Sequence, residues 1–223
     1  MREQDYKRLI AVGDIHGQFE MLQRLMEKIK PSKEDFFVFL GDYIDRGRKS
    51  KEVIDYLIKF QKKYDAVFLR GNHEDMLLDL LGLDDHAING DYYYRNGGEF
   101  TARSYGNEDS TINDLKDLIP ADHIEFMKNA KIFFETELFY FAHGGIMPGI
   151  PFEEQDRDVL LWIRYQFIFY PTGLKKIVVF GHSPQREVLF ADDKIGVDTG
   201  AGYCKKLSAI DVFSKEIYQV KYL

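Results

Sequence analysis

The chain has 223 residues and a formal net charge of −7, and 45% of its residues are hydrophobic. A chain of this length buries roughly 70% of its unfolded surface, so it can hold a core without disulfides. Its one cysteine, Cys204, cannot form an intrachain disulfide. Basic residues form no dense patch, which disfavours nucleic acid as a partner. The absence of a signal-peptide pattern and of an apolar run of about 18 residues disfavours a membrane partner and predicts a cytoplasmic protein.

Short apolar runs alternate with amphipathic stretches in the first third of the chain. The runs cover residues 9–12, 36–40 and 66–70, and each is followed by a glycine. Between them, residues 19–30 and 50–64 carry apolar side chains at helical spacing. A strand–helix–strand–helix–strand order predicts three parallel strands with right-handed crossovers.

The middle of the chain, residues 83–130, is polar, aromatic and glycine-containing. Two stretches in it, 114–119 and 121–130, have a helical pattern. We expect this segment to form a cap or insertion within a single domain that covers residues 1–223. His123, which lies in the second stretch, is expected to be solvated.

Further apolar runs occur at 138–142 and 177–180, each ending at a histidine or glycine. They are followed by short strand-like runs separated by polar turns, which predict antiparallel strands at 186–190, 194–198, 206–213 and 216–223. These elements together predict an α/β fold with a mixed sheet, in which two sheets pack together and are flanked by helices.

Polar side chains follow five of these predicted strands. Ligands of open α/β sheets bind just beyond the carboxyl ends of the strands, and Asp, Asn and neutral His are donors that Mn, Fe or Zn accept. A single cluster of this kind is more often a turn or a hydrogen-bonded core residue, but five clusters would need five separate explanations. They therefore predict a metal site at these strand ends, and the five clusters place these polar residues around it: Asp14 and His16; Asp42, Asp45 and Arg46; Asn72 and His73; His143; and His182.

Three segments carry a family resemblance: GDIHG at 13–17, GDYIDRG at 41–47 and GNHE at 71–74. In this order and spacing they resemble the phosphoprotein phosphatase family of calcineurin-like metallophosphoesterases, in its bacterial and bacteriophage lambda form. The similarity runs almost end to end, through FAHGGIMPGIPFEEQ, LLWIR, FGHSP and VDTGA. It implies the calcineurin-like fold, a sandwich of two mixed β-sheets flanked by α-helices.

The resemblance also implies two divalent metal ions, with Mn²⁺ expected and Fe, Zn or Mg as alternatives. One ion would be held by Asp14, His16 and Asp42. The other would be held by Asp42, Asn72, His143 and His182. Asp42 would then bridge the two ions, in the manner of two-metal sites whose ions lie about 3.5–4 Å apart.

By the same resemblance, a water between the metals attacks phosphorus directly, and His73 protonates the leaving group with Asp45 as its partner. Arg46, Arg164 and Asn72 would bind the substrate phosphate. Two alternatives stay open. Asp45 could be a helix N-cap, and Arg164, whose assignment depends on the short match WIR, could be a surface or packing arginine.

These features predict a metal-dependent phosphomonoester hydrolase, specifically a serine/threonine protein phosphatase that acts on a phosphorylated protein or a small phosphoester. The alternative is a diadenosine tetraphosphate hydrolase with the same dimetal site, and a more remote one is a non-catalytic scaffold. The turn at Asp198 is expected to be structural. The sequence carries no motif that defines the oligomeric state.

Overall fold

A computed structural model of the protein describes residues 3–84 and 89–223. In these ranges, strands form two five-stranded sheets. The strands are β1 (Arg8–Val12), β2 (Asp35–Phe39), β3 (Asp65–Phe68), β4 (Phe133–Glu135), β5 (Phe139–Ala142), β6 (Ile177–Phe180), β7 (Leu189–Phe190), β8 (Lys194–Gly196), β9 (Lys206–Asp211) and β10 (Ile217–Lys221).

The α-helices of the same ranges flank these sheets. They are α1 (Phe19–Ile29), α2 (Ser50–Phe60), α3 (Asn72–Leu80), α4 (Gly90–Tyr93), α5 (Glu99–Tyr105), α6 (Leu115–Leu118), α7 (Ala121–Asn129), α8 (Arg157–Trp162) and α9 (Tyr165–Phe169). None of the helices that the structure describes is long and apolar enough to cross a membrane.

The first sheet has the strand order β10-β9-β1-β2-β3. β1, β2 and β3 pair in parallel, as predicted, and helices α1 and α2 form the crossovers between them. β9 pairs antiparallel with β1 and with β10, so the predicted antiparallel direction of the last two strands is confirmed.

The second sheet has the order β4-β5-β6-β8-β7. The predicted antiparallel direction of residues 186–190 and 194–198 is confirmed for the pair β7 and β8, but β8 also pairs in parallel with β6 on its other side, which was not predicted. Parallel neighbours need a connection of about a dozen residues or more, and residues 181–193 supply it. The sequence pattern predicted the turns within this connection. It did not predict that β8 runs in the same direction as β6.

Three apolar clusters fill the spaces between these layers. The middle cluster lies between the two sheets and joins residues such as Leu9 and Val38 of the first sheet with Phe141 and Val179 of the second. The outer clusters cover the far face of each sheet with helices. Each fully buried Leu or Phe contributes about 1.5–3 kcal/mol to the free energy of folding. The arrangement of these clusters confirms the predicted sandwich of two mixed sheets flanked by helices.

The segment 83–130 contains α4 to α7, apart from residues 85–88, which lie outside the described ranges. Its predicted helical stretches correspond to α6 and α7. The expectation that His123 is solvated is wrong: it is 2% exposed and hydrogen bonds to Tyr105 at 2.8 Å. The role of the segment as a cap stays a prediction.

Candidate metal centre

The carboxyl ends of β1 and β2 bring the loops 13–17 and 41–47 together. The backbone N–H groups of Ile15 and His16 both donate to the carbonyl oxygen of Asp42, at 3.0 and 2.8 Å. Parallel strands in register end at the same edge of a sheet, so the side chains of the two loops face one another there.

Glu74 holds the second loop against the start of α3. Its buried carboxylate accepts backbone N–H groups from Gly71 at 3.0 Å, Asp42 at 2.9 Å, Tyr43 at 2.8 Å and Ile44 at 3.2 Å. Burial, followed by the charge of Asp42, raises the pKa of Glu74 to about 7, while these donors favour the ionised form. The sequence marked Glu74 only as a family feature, and the structure shows what it does.

The backbone of the site is strained. Non-glycine residues with positive φ are uncommon, yet among the described residues they include His16 at 48°, Asp42 at 55°, Asp45 at 69°, Arg46 at 66° and His182 at 59°. Such conformations cost about 1–3 kcal/mol each and persist only where the surroundings enforce them. Here they turn polar side chains inward at the ends of otherwise apolar strands.

Two glycines let carboxylates approach the backbone closely. A Cβ atom at Gly71 would lie 2.1 Å from Oδ1 of Asp42, and one at Gly181 would lie 2.2 Å from Oδ1 of Asp14. Real Cβ atoms do not approach other atoms so closely, so any larger residue at either position would displace the carboxylate.

Two groups of side chains in the described part of the chain could each hold a metal ion. They are His16, Asp42 and His73, and Asp42, His143 and His182, with ligand atoms that all lie within 4.8 Å of one another in each group. Nε2 of His16 lies 3.3 Å from Oδ2 of Asp42, and Nε2 of His143 lies 3.3 Å from its Oδ1. Because Asp42 offers a different oxygen to each group, the clusters suggest a dimetal site with a shared carboxylate.

The three histidines other than His73 have the orientation of metal ligands. A ligating imidazole usually donates its second N–H to a carbonyl or carboxylate, which fixes the tautomer and leaves the other nitrogen free. The second nitrogen meets a backbone carbonyl oxygen in each case: Nδ1 of His16 at Ile44 (3.0 Å), Nδ1 of His143 at Leu40 (2.7 Å) and Nε2 of His182 at Trp162 (3.2 Å). The donor set therefore fits divalent transition metals.

Asn72 and Asp14, the other two predicted ligands, differ in their placement. Oδ1 of Asn72 lies 3.0 Å from Nε2 of His143, next to the second group. Asp14 is buried, and both its oxygens accept the backbone N–H of His182, at 3.1 and 3.0 Å. His73, which was predicted to bind no metal, stands in the first group where Asp14 was expected.

The electrostatics of the buried groups also suit cation binding. Burial lowers the pKa of His16 and His182 well below the ordinary value, so both are neutral donors. Burial alone would raise the pKa of Asp42, but the neighbouring His143 and His73 outweigh it and lower that pKa. Burial would lower the pKa of His143, yet Asp42 raises it to about 9. A metal ion would therefore have to displace a proton from this imidazole in order to bind it.

His73 and Asp45 form a buried pair beside the two groups. Nδ1 of His73 lies 2.7 Å from Oδ2 of Asp45. The other oxygen of Asp45 accepts the hydroxyls of Tyr93 at 2.7 Å and Thr101 at 2.5 Å. The alternative role of Asp45 as a helix N-cap is excluded, because α2 begins after Lys49 and has no side-chain cap.

Both predicted arginines reach the edge of the site. Arg46 donates from Nη1 to Nε2 of His16 at 2.8 Å and lies 3.0 Å through Nη2 from Nε2 of His73. Nη2 of Arg164, at the start of α9, lies 3.5 Å from Nδ1 of His182. Both are half-buried, so each guanidinium lies between a histidine and the solvent.

Asp198 adds a carboxylate that was expected only to form a structural turn. It does form that turn, accepting the N–H of Gly200 at 2.8 Å. It is also buried near Asp14, and burial raises its pKa to about 6. Burial first, and then the charge of Asp198, raise the pKa of Asp14. Because Asp198 follows a short apolar run, as the other site residues do, its position near the site could have been predicted from the sequence.

A helix-flanked pair of sheets with histidines and carboxylates at its strand ends defines a metal-dependent hydrolase. The chain belongs to the calcineurin-like phosphoesterase family, whose model matches residues 7–223. Members of this family hydrolyse phosphoesters, so the substrate of this protein belongs to that class.

Solved structures of similar fold include several phosphatases. A proposed diadenosine tetraphosphatase is 22% identical with a TM-score of 0.76, over 100% of this chain and 96% of that one. A cold-active protein-tyrosine phosphatase of a Shewanella species is 18% identical with a TM-score of 0.61, over 97% and 78%. A protein serine/threonine phosphatase from Saccharomyces cerevisiae is 16% identical with a TM-score of 0.59, over 94% and 74%. At these identities the likeness concerns the fold.

Proposed function

We propose that the protein is a phosphomonoester hydrolase of the bacterial phosphoprotein phosphatase type, acting on phosphoserine or phosphothreonine. The observation that carries this proposal is the buried pair of His73 and Asp45, 2.7 Å apart, next to the shared carboxylate of Asp42. A serine or threonine alkoxide is a poor leaving group that needs a proton, and an imidazole held by a carboxylate can supply it.

The metal ions, which we expect to be Mn²⁺, would supply Lewis-acid activation of water and of the phosphate oxygens when bound. The residues proposed to hold them are Asp14, His16, Asp42, Asn72, His143 and His182. Of these, Asp42 would neutralise charge on both ions and fix their separation, since its two oxygens face different histidines.

The chain's own residues would then bind and protonate the substrate. Arg46 and Arg164 flank the site and carry planar guanidinium groups, which bind phosphate oxygens in pairs and offset charge in the transition state. Asp45 keeps the proton of His73 on Nδ1, so that Nε2 is the nitrogen that exchanges a proton with the leaving oxygen. Asn72 lies next to His73 in the chain and would orient the phosphate.

The test is replacement of His73 by Asn, assayed with two substrates on Mn²⁺-loaded protein. With a phosphoserine peptide, kcat should fall by about 10²–10⁴-fold, the usual loss for a general acid. With an activated aryl phosphate, whose leaving group needs no proton, the loss should be much smaller. Equal losses on both substrates, or an unchanged rate on the peptide, would remove His73 from this role.

A second candidate, hydrolysis of diadenosine tetraphosphate, is favoured by one cavity. It has a volume of about 540 Å³ and is lined in part by Arg24, Arg46, Arg48 and Phe100, and by Lys49, which is paired with Glu20. Cationic side chains and an aromatic ring suit a polyphosphate chain and a base. Arg46 belongs both to this cavity and to the candidate metal centre.

A direct comparison of kcat/KM for diadenosine tetraphosphate and for a phosphoserine peptide separates the two candidates. A tenfold or greater preference for the dinucleotide would overturn the phosphatase proposal in favour of the second. A metal-loaded protein that hydrolyses neither compound, nor any aryl phosphate, would be a scaffold instead.

A further inference from the structure

Asp45 receives two hydrogen bonds that the general-acid role of His73 does not itself require. Its Oδ2 faces Nδ1 of His73 at 2.7 Å, while its Oδ1 accepts the hydroxyl of Tyr93 at 2.7 Å and that of Thr101 at 2.5 Å. All four residues are 0% exposed. Both donors come from the segment between residues 89 and 105, which none of the family motifs includes.

These donors select one arrangement of the carboxylate. A buried carboxylate needs hydrogen-bond donors to stay ionised, and two neutral hydroxyls on Oδ1 leave only Oδ2 for the imidazole. Burial first, and then the charge of Asp45, raise the pKa of Tyr93, so its hydroxyl remains a donor. The proton of His73 is thereby kept on Nδ1, and Nε2 faces the site.

Thr101 also supports the strained backbone of Asp45. Its hydroxyl oxygen accepts the backbone N–H of Asp45 at 2.9 Å while the same hydroxyl donates to the side chain. Tyr93 is equally constrained, because a Cβ at Gly98 would lie 2.3 Å from its ring. The carbonyl of Gly97 accepts the backbone N–H of Arg46, at 3.2 Å. The segment thus contacts two consecutive site residues.

We propose that Tyr93 and Thr101 are positioning residues for the pair of His73 and Asp45, and that they set the activity of the enzyme toward poor leaving groups. This inference rests on the proposed function, since it presupposes that His73 protonates the leaving oxygen. Neither hydroxyl touches the substrate. Each acts by fixing the oxygen of Asp45 that His73 meets.

The test compares Tyr93→Phe and Thr101→Val with wild type on a phosphoserine peptide and on an activated aryl phosphate. Each variant removes one donor and should lower kcat on the peptide by about tenfold or more, a part of the 10²–10⁴-fold effect of general acid catalysis. The loss on the aryl phosphate should stay below about threefold, and KM should change little. Thr101→Ser keeps the hydroxyl and should restore most of the peptide activity.

Tyr105→Phe is the matched control. Tyr105 is a buried tyrosine of the same segment, but its hydroxyl bonds to His123 at 2.8 Å and not to Asp45. It should leave the ratio of peptide to aryl activity unchanged. If Tyr93→Phe and Thr101→Val lower both activities in proportion, or if Thr101→Ser behaves like Thr101→Val, the positioning role is wrong.

His73→Asn, assayed in parallel, separates this inference from the function beneath it. If His73→Asn shows no selective loss on the peptide, the proposed general acid itself fails. If His73→Asn shows this selective loss but Tyr93→Phe and Thr101→Val do not, only the positioning role is wrong. Should Tyr93→Phe not fold, as its melting curve would show, the pair Thr101→Val and Thr101→Ser decides alone.

Discussion

Asp42 connects the two halves of the candidate metal centre, because each of its carboxylate oxygens faces a different histidine at 3.3 Å. Its backbone N–H is held by Glu74 and its carbonyl oxygen by the first motif loop. Neither the residue nor its loop can therefore turn away to solvent without breaking several buried hydrogen bonds, each of which is costly to leave unmade.

Replacing Asp42 by Asn should abolish the second metal ion. An amide has one oxygen acceptor and no charge, so it can neither bridge two cations nor neutralise them. We expect at most one Mn²⁺ per chain by elemental analysis after dialysis, and a loss of about 10²-fold or more in aryl phosphate hydrolysis. Asp55→Asn is the control, because Asp55 lies near His123 and outside both metal groups. This variant should still bind two ions. A variant of Asp42 with two ions and normal turnover would contradict the shared ligand.

The motifs predicted which polar residues lie together at the strand ends, but not the residues that hold them in place. Every predicted residue from Asp14 to His182 lies at or beside the two groups. Tyr93 and Thr101 were not found, because they contact Asp45 across 48 and 56 positions of sequence and no local pattern records such a contact. The left-handed backbone was also not predictable at non-glycine positions.

Among the elements, β1 and β2 are joined by an ion pair at the start of the two strands, away from the site. Nε and Nη2 of Arg8 each donate to a different oxygen of Asp35 at 2.7 Å, and Nη1 donates to the carbonyl of Ile29 at the end of α1. The backbone N–H of Ser32 also donates to Asp35, at 2.7 Å. The ion pair of Arg8 and Asp35 therefore links two strands and, through Arg8, the end of α1.

This pair predicts a loss of stability in acid. Burial would raise the pKa of Asp35, but the hydrogen bonds from Arg8 and Ser32 outweigh it, so the pKa is lowered. Because the folded pKa lies below the unfolded value of about 4, the stabilisation is complete above that value and is lost as the pH falls through the folded pKa. Asp35→Asn should cost about 1–3 kcal/mol at pH 7 and progressively less below about pH 4.

Urea unfolding of wild type and Asp35→Asn between pH 3 and pH 7 measures this effect. The control is Glu34→Gln, which removes a carboxylate from an exposed pair with Lys7 at 3.9 Å and should cost less than about 1 kcal/mol at every pH. A constant difference between Asp35→Asn and wild type across this range would show that the carboxylate contributes nothing through its charge.

The elements with strong periodicity were predictable, and the short ones were not. α1 and α2 agree with the amphipathic stretches, and the strands before the motif loops agree with the apolar runs. β4 was missed, and β7 is shorter than the predicted run because it spans only Leu189–Phe190. A short edge strand forms because it pairs with its neighbour, so its own residues show little of the alternation that predicts a strand.

At the scale of the whole molecule, the candidate metal centre lies across the boundary between the two sheets. Asp14 and Asp42 follow strands of the first sheet, whereas His143 and His182 follow strands of the second. Metal ions held by both sets would link the sheets at this edge, and would bind the folded state in preference to the unfolded one.

Metal binding should therefore raise the melting temperature. At a free Mn²⁺ concentration about 100 times the dissociation constant, the stabilisation is about 2.7 kcal/mol for one site, which corresponds to roughly 5–10 °C for a chain of this size. Calorimetry of chelator-treated protein with and without Mn²⁺ measures the shift. His182→Ala should reduce it. Mn²⁺ that binds without any shift would have to bind the unfolded chain equally well, which would contradict a site that the folded sheets create.

The left-handed backbone at five site residues has a consequence for how such a protein changes over generations. Each of these positions would be relaxed by glycine, which adopts positive φ without the penalty of about 1–2 kcal/mol that other residues pay. Selection for heat resistance alone would thus favour glycine at His16, Asp42 or His182 and erase the site. The charged and imidazole side chains at these strained positions are therefore explained by the chemistry of the site and not by the stability of the fold.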